Sequence, residues 1–347
     1  MKSIFVTKLD YMNILITGGA GYIGSHTIIQ LLEQGYENLY SIDNYLNSDE
    51  STYQKIEEIT GKKVIFFDID LTDKASTKTF FELNQIAVVI HFAALKSVPD
   101  SVTSPLGYYN NNINSLLNIL SGAESTGVKK IIFSSSCSVY GNPEKLPVSE
   151  ETPFGEAESP YASTKQMGEN ILKDFARTNT EIEVISLRYF NPVGAHVSGI
   201  IGEPFTKRPN NLVPIITQTA AKLRAKITVF GNDYNTPDGS CIRDYIHVDD
   251  IANAHIKAIN FKNKENLNYS VFNLGTGKGT SVLEIIKVFE KINNISLNFT
   301  IGERRLGDVE AIYAENTVAR SALNWTPTRD LETMVKSAWR WQQNMEV

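Results

Sequence analysis

The sequence is short of cysteine, of long apolar runs and of surplus basic residues, and each shortage excludes a class of protein. Cys137 and Cys241 are its two cysteines, too few for a disulfide framework or a zinc-ligand pattern, so we expect no metal site and a reducing compartment. No apolar run reaches about 18 residues, so we expect no membrane span. The net charge of −6 argues against nucleic-acid binding, which needs a basic face.

The chain also lacks internal repeats and low-complexity segments, and its N-terminus lacks the anatomy of a signal peptide. We therefore expect a cytoplasmic globular protein. Its 347 residues suggest roughly two domains of about 150 residues each. Residues 1–11 precede Met12, which stands directly before an apolar run, and we interpret them as an N-terminal extension.

Apolar runs alternate with helical patterns through the first half. Such an alternation is typical of βαβ units and a parallel sheet, and the unbroken apolar runs favour a sheet covered by helices on both faces. The predicted fold class is α/β, a doubly wound (Rossmann) sheet over 12–191. Prolines and polar loops dominate beyond it, and we expect a smaller α+β substrate-binding domain over 192–347, some segments of which cross back. The six predicted strands span 13–17, 38–43, 62–70, 87–94, 128–136 and 182–190, and predicted helices include 22–34, 105–124 and 161–177.

The stretch "LITGGAGYIGSH" places Gly18, Gly21 and Gly24 between the first strand and the first helix. Glycines at this spacing permit a tight turn, a close approach of the backbone to a pyrophosphate and close helix packing. Asp43 ends the second strand, where a carboxylate can bind both hydroxyls of an adenosine ribose and repel a 2′-phosphate. The pattern favours NAD over NADP; the alternative is a structural glycine turn with Asp43 in a solvated loop.

The stretch "SPYASTK" places Tyr161 one helical turn before Lys165, with Ser159 able to cap the helix and Pro160 suited to its first turn. A spacing of four puts both side chains on one helix face. Alone, this spacing is equally compatible with a surface contact.

The order of several stretches resembles that of the extended short-chain dehydrogenases/reductases, and within them the 4-epimerases that act on UDP-hexoses. These stretches are the glycine turn, "HFAALKSV", "FSSSCSVYG", the Tyr161–Lys165 pair, "RYFNPVGAH", "PNNLVP", "VFGNDYNTPDGSCIRDYIHVDD" and "FNLGTGKGTSVLE". The resemblance runs from about Met12 to Trp341. Related 4,6-dehydratases carry Thr-Asp-Glu where this chain has Ser136, Cys137 and Ser138, so elimination of water would have no proton carrier here.

The resemblance implies that NAD transiently oxidises C4 of the sugar, that the flat keto-sugar turns over, and that the hydride returns to its other face. UDP-glucose and UDP-galactose would interconvert. Tyr161 would be the general base, Lys165 and the nicotinamide charge would lower the pKa of Tyr161, and Ser136 would relay the proton. Cys137 is interpreted as a small buried filler.

The resemblance also implies two sets of binding residues. The cofactor set is Gly18, Gly21, Tyr22, Ile23, Gly24, Asp43, Asn44, Asp70, Leu71, Phe92, Ala93, Ala94, Lys96, Asn111, Ser134, Tyr161, Lys165 and Tyr189. The UDP-sugar set is Lys96, Ser136, Tyr161, Asn191, Asn211, Leu212, Phe230, Arg243, Tyr245, Arg305 and Asp308.

Ile312 stands where some relatives carry a tyrosine that restricts N-acetylated sugars, although Tyr313 follows and a shift of one residue is open. We therefore expect some tolerance for UDP-N-acetylglucosamine. Alternatives are an epimerase of UDP-N-acetylhexosamines or UDP-pentoses, or a non-catalytic NAD-binding sensor. The resemblance further implies a homodimer formed through the helices before and within the Tyr161 region.

Overall fold

The computed structural model describes residues 12–205, 209–263, 268–305 and 308–345. The interpretation of residues 1–11 as an extension lies outside the described residues. The strands are β1 (Ile14–Thr17), β2 (Leu39–Asp43), β3 (Ile65–Asp68), β4 (Val88–His91), β5 (Lys130–Ser136), β6 (Glu183–Tyr189), β7 (Asn191–Val193), β8 (Ile227–Phe230), β9 (Ile242–Arg243), β10 (Tyr245–His247), β11 (Tyr269–Leu274), β12 (Thr280–Ser281), β13 (Phe299–Gly302) and β14 (Ala311–Ile312).

Eleven α-helices connect these strands within the described ranges. They are α1 (Tyr22–Glu33), α2 (Ser51–Thr60), α3 (Lys74–Leu83), α4 (Val98–Thr103), α5 (Pro105–Thr126), α6 (Pro160–Thr178), α7 (Leu212–Ala220), α8 (Val248–Asn260), α9 (Val282–Asn293), α10 (Thr317–Ala322) and α11 (Leu331–Asn344). Ser159 caps α6 by accepting from the Ala162 N–H, which confirms the cap expected there.

Seven strands form one parallel sheet in the order β11-β6-β5-β4-β1-β2-β3. Successive residues of β1 point into opposite cores: Ile14 and Ile16 pack with α1, α2 and α8, whereas Leu15 packs with α3, α5 and α6. Both faces are therefore covered, and the predicted doubly wound α/β fold is confirmed.

The edge strand β3 departs from the buried pattern that its apolar sequence suggests. Ile65 and Phe66 are 51% and 40% exposed, and Phe66 stacks on Tyr53 of α2 with ring centroids 4.4 Å apart. The hydrogen-bonded strand is also shorter than the apolar run 62–70, because pairing with β2 covers only four residues.

The seventh strand, β11, comes from the second half of the chain and pairs with β6. Helix α8 packs on α1, and Trp325 lies fully buried in the same core. Segments from the second half of the chain thus pack in the core of the seven-stranded sheet. The division into domains at residue 191, with segments crossing back, stays a prediction.

The remaining elements form a smaller α+β unit around a separate core. In that core, α7, α9 and α11 pack against β8. β8 pairs with β13, and β9 lies between β12 and β14. Among the described residues, no helix is both long enough and apolar enough to cross a membrane.

A substitution of Phe272 tests whether β11 belongs to the core that α1, α2 and α8 form on the seven-stranded sheet. Phe272 is 3% exposed and packs among the residues of the α8 layer. We expect Phe272→Ala to lower the free energy of unfolding by about 3–5 kcal/mol, because it removes a buried ring and leaves a cavity. Urea unfolding measures this. Phe299→Ala, at a position 39% exposed on β13, is the control and should cost about 1 kcal/mol or less; equal losses would contradict the assignment.

Candidate active site

The site lies where the order of the sheet reverses. β1 and β4 are neighbours, yet β1 leads to α1 on one face and β4 leads to α5 on the other. The two connections separate and open a crevice at the carboxyl ends of the strands, which is where open α/β sheets bind ligands.

The glycine turn forms one wall of this crevice. Gly18 has φ +70°, and a Cβ there would stand 2.8 Å from the Ala93 nitrogen, so the turn needs a glycine where it meets the chain after β4. Gly21 precedes α1, and no side chain caps that helix. The N–H groups of the first turn, from Tyr22 to Gly24, are therefore available to an anion, and the helix dipole favours one.

The carboxylate of Asp43 is fixed at the end of β2. Its Oδ2 accepts from the Ala20 N–H at 3.0 Å, and its Oδ1 accepts from the Tyr45 N–H at 3.0 Å and the Ser48 hydroxyl at 2.8 Å. Asn44 follows, and its side chain accepts from the Leu46 N–H. The carboxylate thus ties the glycine turn to β2 at the place expected for a ribose contact. Sequence reasoning missed Ala20, whose role is that of its backbone.

Asp70 and Leu71 follow β3, on the far side of β2 from the glycine turn. The Asp70 carboxylate accepts from both the N–H and the hydroxyl of Thr72, and the Leu71 carbonyl accepts from the Asn118 amide at 2.9 Å. Leu71 is buried and supplies an apolar surface beside this edge.

The opposite wall is the segment 92–96 after β4. The Asn112 side chain accepts from the Leu95 N–H at 2.8 Å and donates to the Leu95 carbonyl and to the Thr164 hydroxyl. Asn111, the expected cofactor residue, donates to Asn112. The sequence analysis missed Asn112, which anchors this wall to α5 and α6; its only signal was the run of asparagines at 110–112.

Ser136, Tyr161 and Lys165 come together at the ends of β5 and α6. Lys165 Nζ donates to the Ser134 carbonyl at 2.7 Å and stands 5.7 Å from the centroid of the Tyr161 ring. Ser136 ends β5 and bonds to Tyr161, and this contact opposes the effect of burial on the tyrosine. The structure therefore juxtaposes the three residues that the sequence analysis singled out for proton transfer.

Burial dominates the electrostatics of this group. Burial raises the pKa of Tyr161 to about 12, and the Ser136 hydrogen bond only partly opposes it. Burial also lowers the pKa of Lys165 to about 8, opposed by the charge of Glu169. The lowering of the Tyr161 pKa by Lys165 together with the nicotinamide charge stays a prediction, because among the protein groups the desolvation of the phenolate dominates and raises the pKa.

Ser134 and Tyr189 lie on the α8 side of the same strand ends. The Ser134 hydroxyl bonds to the Tyr189 hydroxyl. Below them is His255, whose ring centroid is 4.5 Å from that of Phe92 and 6.0 Å from that of Tyr189. Burial lowers the pKa of His255 to about 4, so it is a neutral supporting ring. No local sequence signal pointed to it.

Four of the expected substrate residues converge in the smaller unit. Arg305 donates to the Asp308 carboxylate at 2.6 Å, and Arg243 lies 3.9 Å from the same oxygen. The Arg305 guanidinium also lies 5.4 Å from the ring centroid of Phe230, and that ring is 40% exposed. Two guanidinium groups thus share one carboxylate beside an accessible aromatic face, which leaves positive charge for an anionic ligand.

Glu203, another missed residue, lies between the two units. Its Oε1 accepts from the Asn211 amide at 2.7 Å and lies 3.3 Å from Lys96 Nζ. Lys96 and Asn211 were predicted separately, and one carboxylate now connects them.

The remaining expected residues are less accessible to a ligand. Tyr245 is buried within the core of the smaller unit, and Leu212, the first residue of α7, packs partly against that core. Asn191 lies in β7, opposite Tyr245 of β10. Cys137 is half-buried rather than buried, which corrects the expectation of a buried filler, although desolvation still raises the pKa of its thiol to about 12.

A sequence model of the NAD dependent epimerase/dehydratase family matches residues 14–275. The UDP-glucose 4-epimerase of Pasteurella multocida (strain Pm70) is 45% identical to this chain over 332 residues, covering 96% of this chain and 98% of that protein.

Two solved structures are similar over nearly the whole chain. The crystal structure of UDP-glucose 4-epimerase from Bifidobacterium longum in complex with NAD+ and UDP has a TM-score of 0.91 at 44% identity, with 96% of this chain and 98% of that chain covered. The UDP-Glc/GlcNAc 4-epimerase of Campylobacter jejuni has a TM-score of 0.83 at 36% identity, with 96% and 100% covered. With its family match and its full-length relatives, this chain belongs to the NAD dependent epimerase/dehydratase family.

Proposed function

We propose that this protein is an enzyme that interconverts UDP-glucose and UDP-galactose with NAD as its cofactor. The observation that carries the proposal is the meeting of Ser136, Tyr161 and Lys165 beside the glycine turn, in a chain 45% identical to a UDP-glucose 4-epimerase over 96% of its length.

The crevice fits a dinucleotide by three of its own features. The N-terminus of α1 has no side-chain cap, Gly21 carries no Cβ that would lie 3.1 Å from the Gly18 carbonyl oxygen, and the Asp43 carboxylate is fixed at the adjacent strand end. We propose that the cofactor residues named from the sequence hold NAD here. Bound NAD supplies a reversible hydride acceptor, which lets the C4 carbon be oxidised and then reduced on its other face.

In this mechanism Tyr161 removes the proton of the C4 hydroxyl and later returns it, with Ser136 as the relay. Because burial raises the pKa of Tyr161 to about 12, the protein alone keeps it a phenol at neutral pH. Opposite charge beside the ring must therefore favour the phenolate, and Lys165 together with the cationic cofactor ring supplies it. Lys165 is fixed for this purpose by the Ser134 carbonyl.

Arg243 and Arg305 are suited to the diphosphate of the substrate, because a guanidinium can donate two parallel hydrogen bonds to phosphate oxygens. Phe230 offers a face for uracil, and the Asp308 carboxylate lies within 3.9 Å of both arginines. Ligand phosphates would compete with Asp308 for these cations and free the carboxylate for the ribose.

Epimerisation is favoured over dehydration by the residues around the sugar site. The turn after β5 is a short 3₁₀ helix, Cys137–Tyr140, and Ser138 donates its N–H to Ser136. No carboxylate follows Ser136 at the two positions where the dehydratases carry Asp and Glu. Elimination of water therefore lacks its acid and base.

Tolerance for N-acetylated sugars is a second proposal, and it rests on Ile312. This side chain is buried against Val139 and Phe190, with Cys137 packed on the same cluster, and it pairs in register with Arg243. Tyr313 lies near Gly279 instead, since a Cβ on Gly279 would be 3.1 Å from the Tyr313 ring. Ile312 thus packs on the same cluster as Cys137, the residue after Ser136. The related Campylobacter jejuni enzyme is named a UDP-Glc/GlcNAc 4-epimerase.

We expect Tyr161→Phe to retain NAD and to lose turnover of UDP-galactose by at least about a hundredfold, because the ring keeps its shape but cannot carry a proton. Coupled detection of UDP-glucose and the absorbance of released dinucleotide measure the two effects. Tyr36→Phe is the control, since the Tyr36 hydroxyl bonds to Asn260 away from the site. Unchanged turnover in Tyr161→Phe would favour the non-catalytic sensor.

Ile312→Tyr should lower kcat/KM for UDP-N-acetylgalactosamine at least about tenfold more than for UDP-galactose, since the larger ring occupies the space of the acetamido group. Both substrates are assayed on the same preparation, which cancels any loss of folded protein. Ile312→Leu, which conserves volume, is the control. Equal losses on the two substrates would reject this role for Ile312.

We also propose that the enzyme is a homodimer formed through α4, α5 and α6. These helices expose Val102, Leu106, Leu117 and Met167 by 60%, 81%, 42% and 45%. Leu106 and Leu117 are three turns apart and lie on one face of α5. Apolar side chains concentrated on adjacent helices favour burial against a second copy.

The double substitution Leu117→Glu/Met167→Glu should raise the dimer dissociation constant at least about a hundredfold, because two carboxylates would be desolvated at the interface. Sedimentation equilibrium measures the constant. Leu83→Glu, at a position 78% exposed at the end of α3, should leave it unchanged. A wild-type monomer at micromolar concentration would reject the proposed dimer.

We also propose a cytoplasmic location, because neither cysteine forms a disulfide. Cys137 and Cys241 are both free in the structure, as expected for a protein of a reducing compartment.

A further inference from the structure

Behind the proton-transfer residues lies a buried ion pair that the mechanism above does not use. Glu169 of α6 and Arg188 of β6 are 2% and 5% exposed. Arg188 donates to Glu169 through two parallel bonds, Nε to Oε1 at 2.8 Å and Nη2 to Oε2 at 2.6 Å. Two-point pairing of this kind fixes both distance and orientation.

The pair connects three strands to one helix. The Ser135 hydroxyl of β5 donates to Glu169 Oε1, and the Tyr269 hydroxyl of β11 donates to Oε2 at 3.3 Å. Arg188 also donates to the Tyr140 hydroxyl at 2.9 Å. Each oxygen of the Glu169 carboxylate therefore has at least two donors.

The position of this cluster relates it to the site. Glu169 is one turn after Lys165 on α6, and Ser135 is flanked by Ser134, which accepts from Lys165, and by Ser136, which bonds to Tyr161. A shift of α6 along β5 would break these contacts together.

We propose that Glu169 is a positioning residue: clamped between Ser135 and Arg188, its carboxylate fixes α6 against β5 and keeps the Lys165 ammonium beside Tyr161. The inference rests on the proposed function and extends it to residues that touch neither substrate nor cofactor. The negative charge of Glu169 also favours the ammonium form of Lys165, because it raises the pKa of Lys165 and so opposes the lowering by burial.

The other titratable groups packed around this pair do not replace that charge. Lys165 faces the neutral His91 of β4, whose pKa burial lowers to about 3, and the phenol of Tyr161. The titratable groups that face Glu169 and Arg188 from neighbouring elements are Tyr140, Glu150 and Tyr269.

The test is the paired substitution Glu169→Met/Arg188→Met, which removes both buried charges at once and leaves neither unpaired. We expect a folded protein that retains NAD, with kcat for UDP-galactose lowered about tenfold or more and KM changed less than about twofold, because the loss falls on alignment. We also expect Lys165 to titrate at lower pH than in the wild type. Lysine-selective NMR, assigned with Lys165→Met, measures this without turnover.

Ser135→Ala is the second variant; it removes one hydroxyl and should move kcat and the Lys165 titration in the same directions by a smaller amount. Glu183→Gln is the control, since Glu183 pairs with Lys130 at 3.0 Å on the same two strands but at their amino ends. It should change neither kcat nor the titration of Lys165.

Wild-type kcat and an unshifted Lys165 titration in the paired variant would overturn the proposal. If that variant does not fold, the same result in Ser135→Ala would overturn it. A wild-type protein that does not convert UDP-galactose would instead refute the proposed function, and the NMR titration would still decide the role of Glu169.

Discussion

The site depends on one constraint: an acidic phenol and a basic amine, whose charged forms have opposite signs, are both desolvated at the end of one strand. Tyr161 and Lys165 share a face of α6, and burial disfavours the charged form of both: it raises the pKa of the phenol to about 12 and lowers that of the amine to about 8. The charged pair is therefore stable only where fixed dipoles and ions support it. The Ser134 carbonyl and the Glu169 carboxylate do so for the ammonium, and the Ser136 hydroxyl does so for the phenolate.

This arrangement links chemistry to ligand occupancy. Because burial raises the pKa of Tyr161 to about 12, the proposed base needs a further positive charge nearby, and a cationic cofactor in the crevice would supply it. In the smaller unit, Arg243 and Arg305 likewise lie beside the single carboxylate of Asp308, and the phosphates of the proposed substrate would compete with that carboxylate.

Much of the fold could be predicted because its signals are local. Apolar runs marked all six strands of the first half, and glycines at a strict spacing marked the turn after β1. Ser136, Tyr161 and Lys165 could be identified from the sequence for the same reason, since each belongs to a short recognisable stretch.

What sequence reasoning missed depends on contacts between distant segments. Asn112 bonds to the backbone of Leu95, Glu203 joins Lys96 to Asn211, and His255 lies under Phe92. None has a local pattern that separates it from ordinary helix or loop residues. The opposing effect of burial on the Tyr161 pKa was missed for a related reason: the motif shows the neighbouring lysine, whereas the desolvation comes from the packing around the buried ring.

The return of β11 and α8 to the first unit gives this packing a functional consequence. β11 pairs with β6 directly before the glycine-rich segment that contacts Asp244, and Asp244 accepts from the N–H groups of Thr276, Gly277 and Ala314. The next residue back, Arg243, belongs to the proposed diphosphate site. The strand that completes the seven-stranded sheet is thus continuous with the loop that bonds to Asp244, the residue after the arginine proposed for the sugar nucleotide. Cofactor and substrate sites are consequently held in one framework by backbone hydrogen bonds, which suits a reaction whose C4 carbon must reach the same acceptor from both faces.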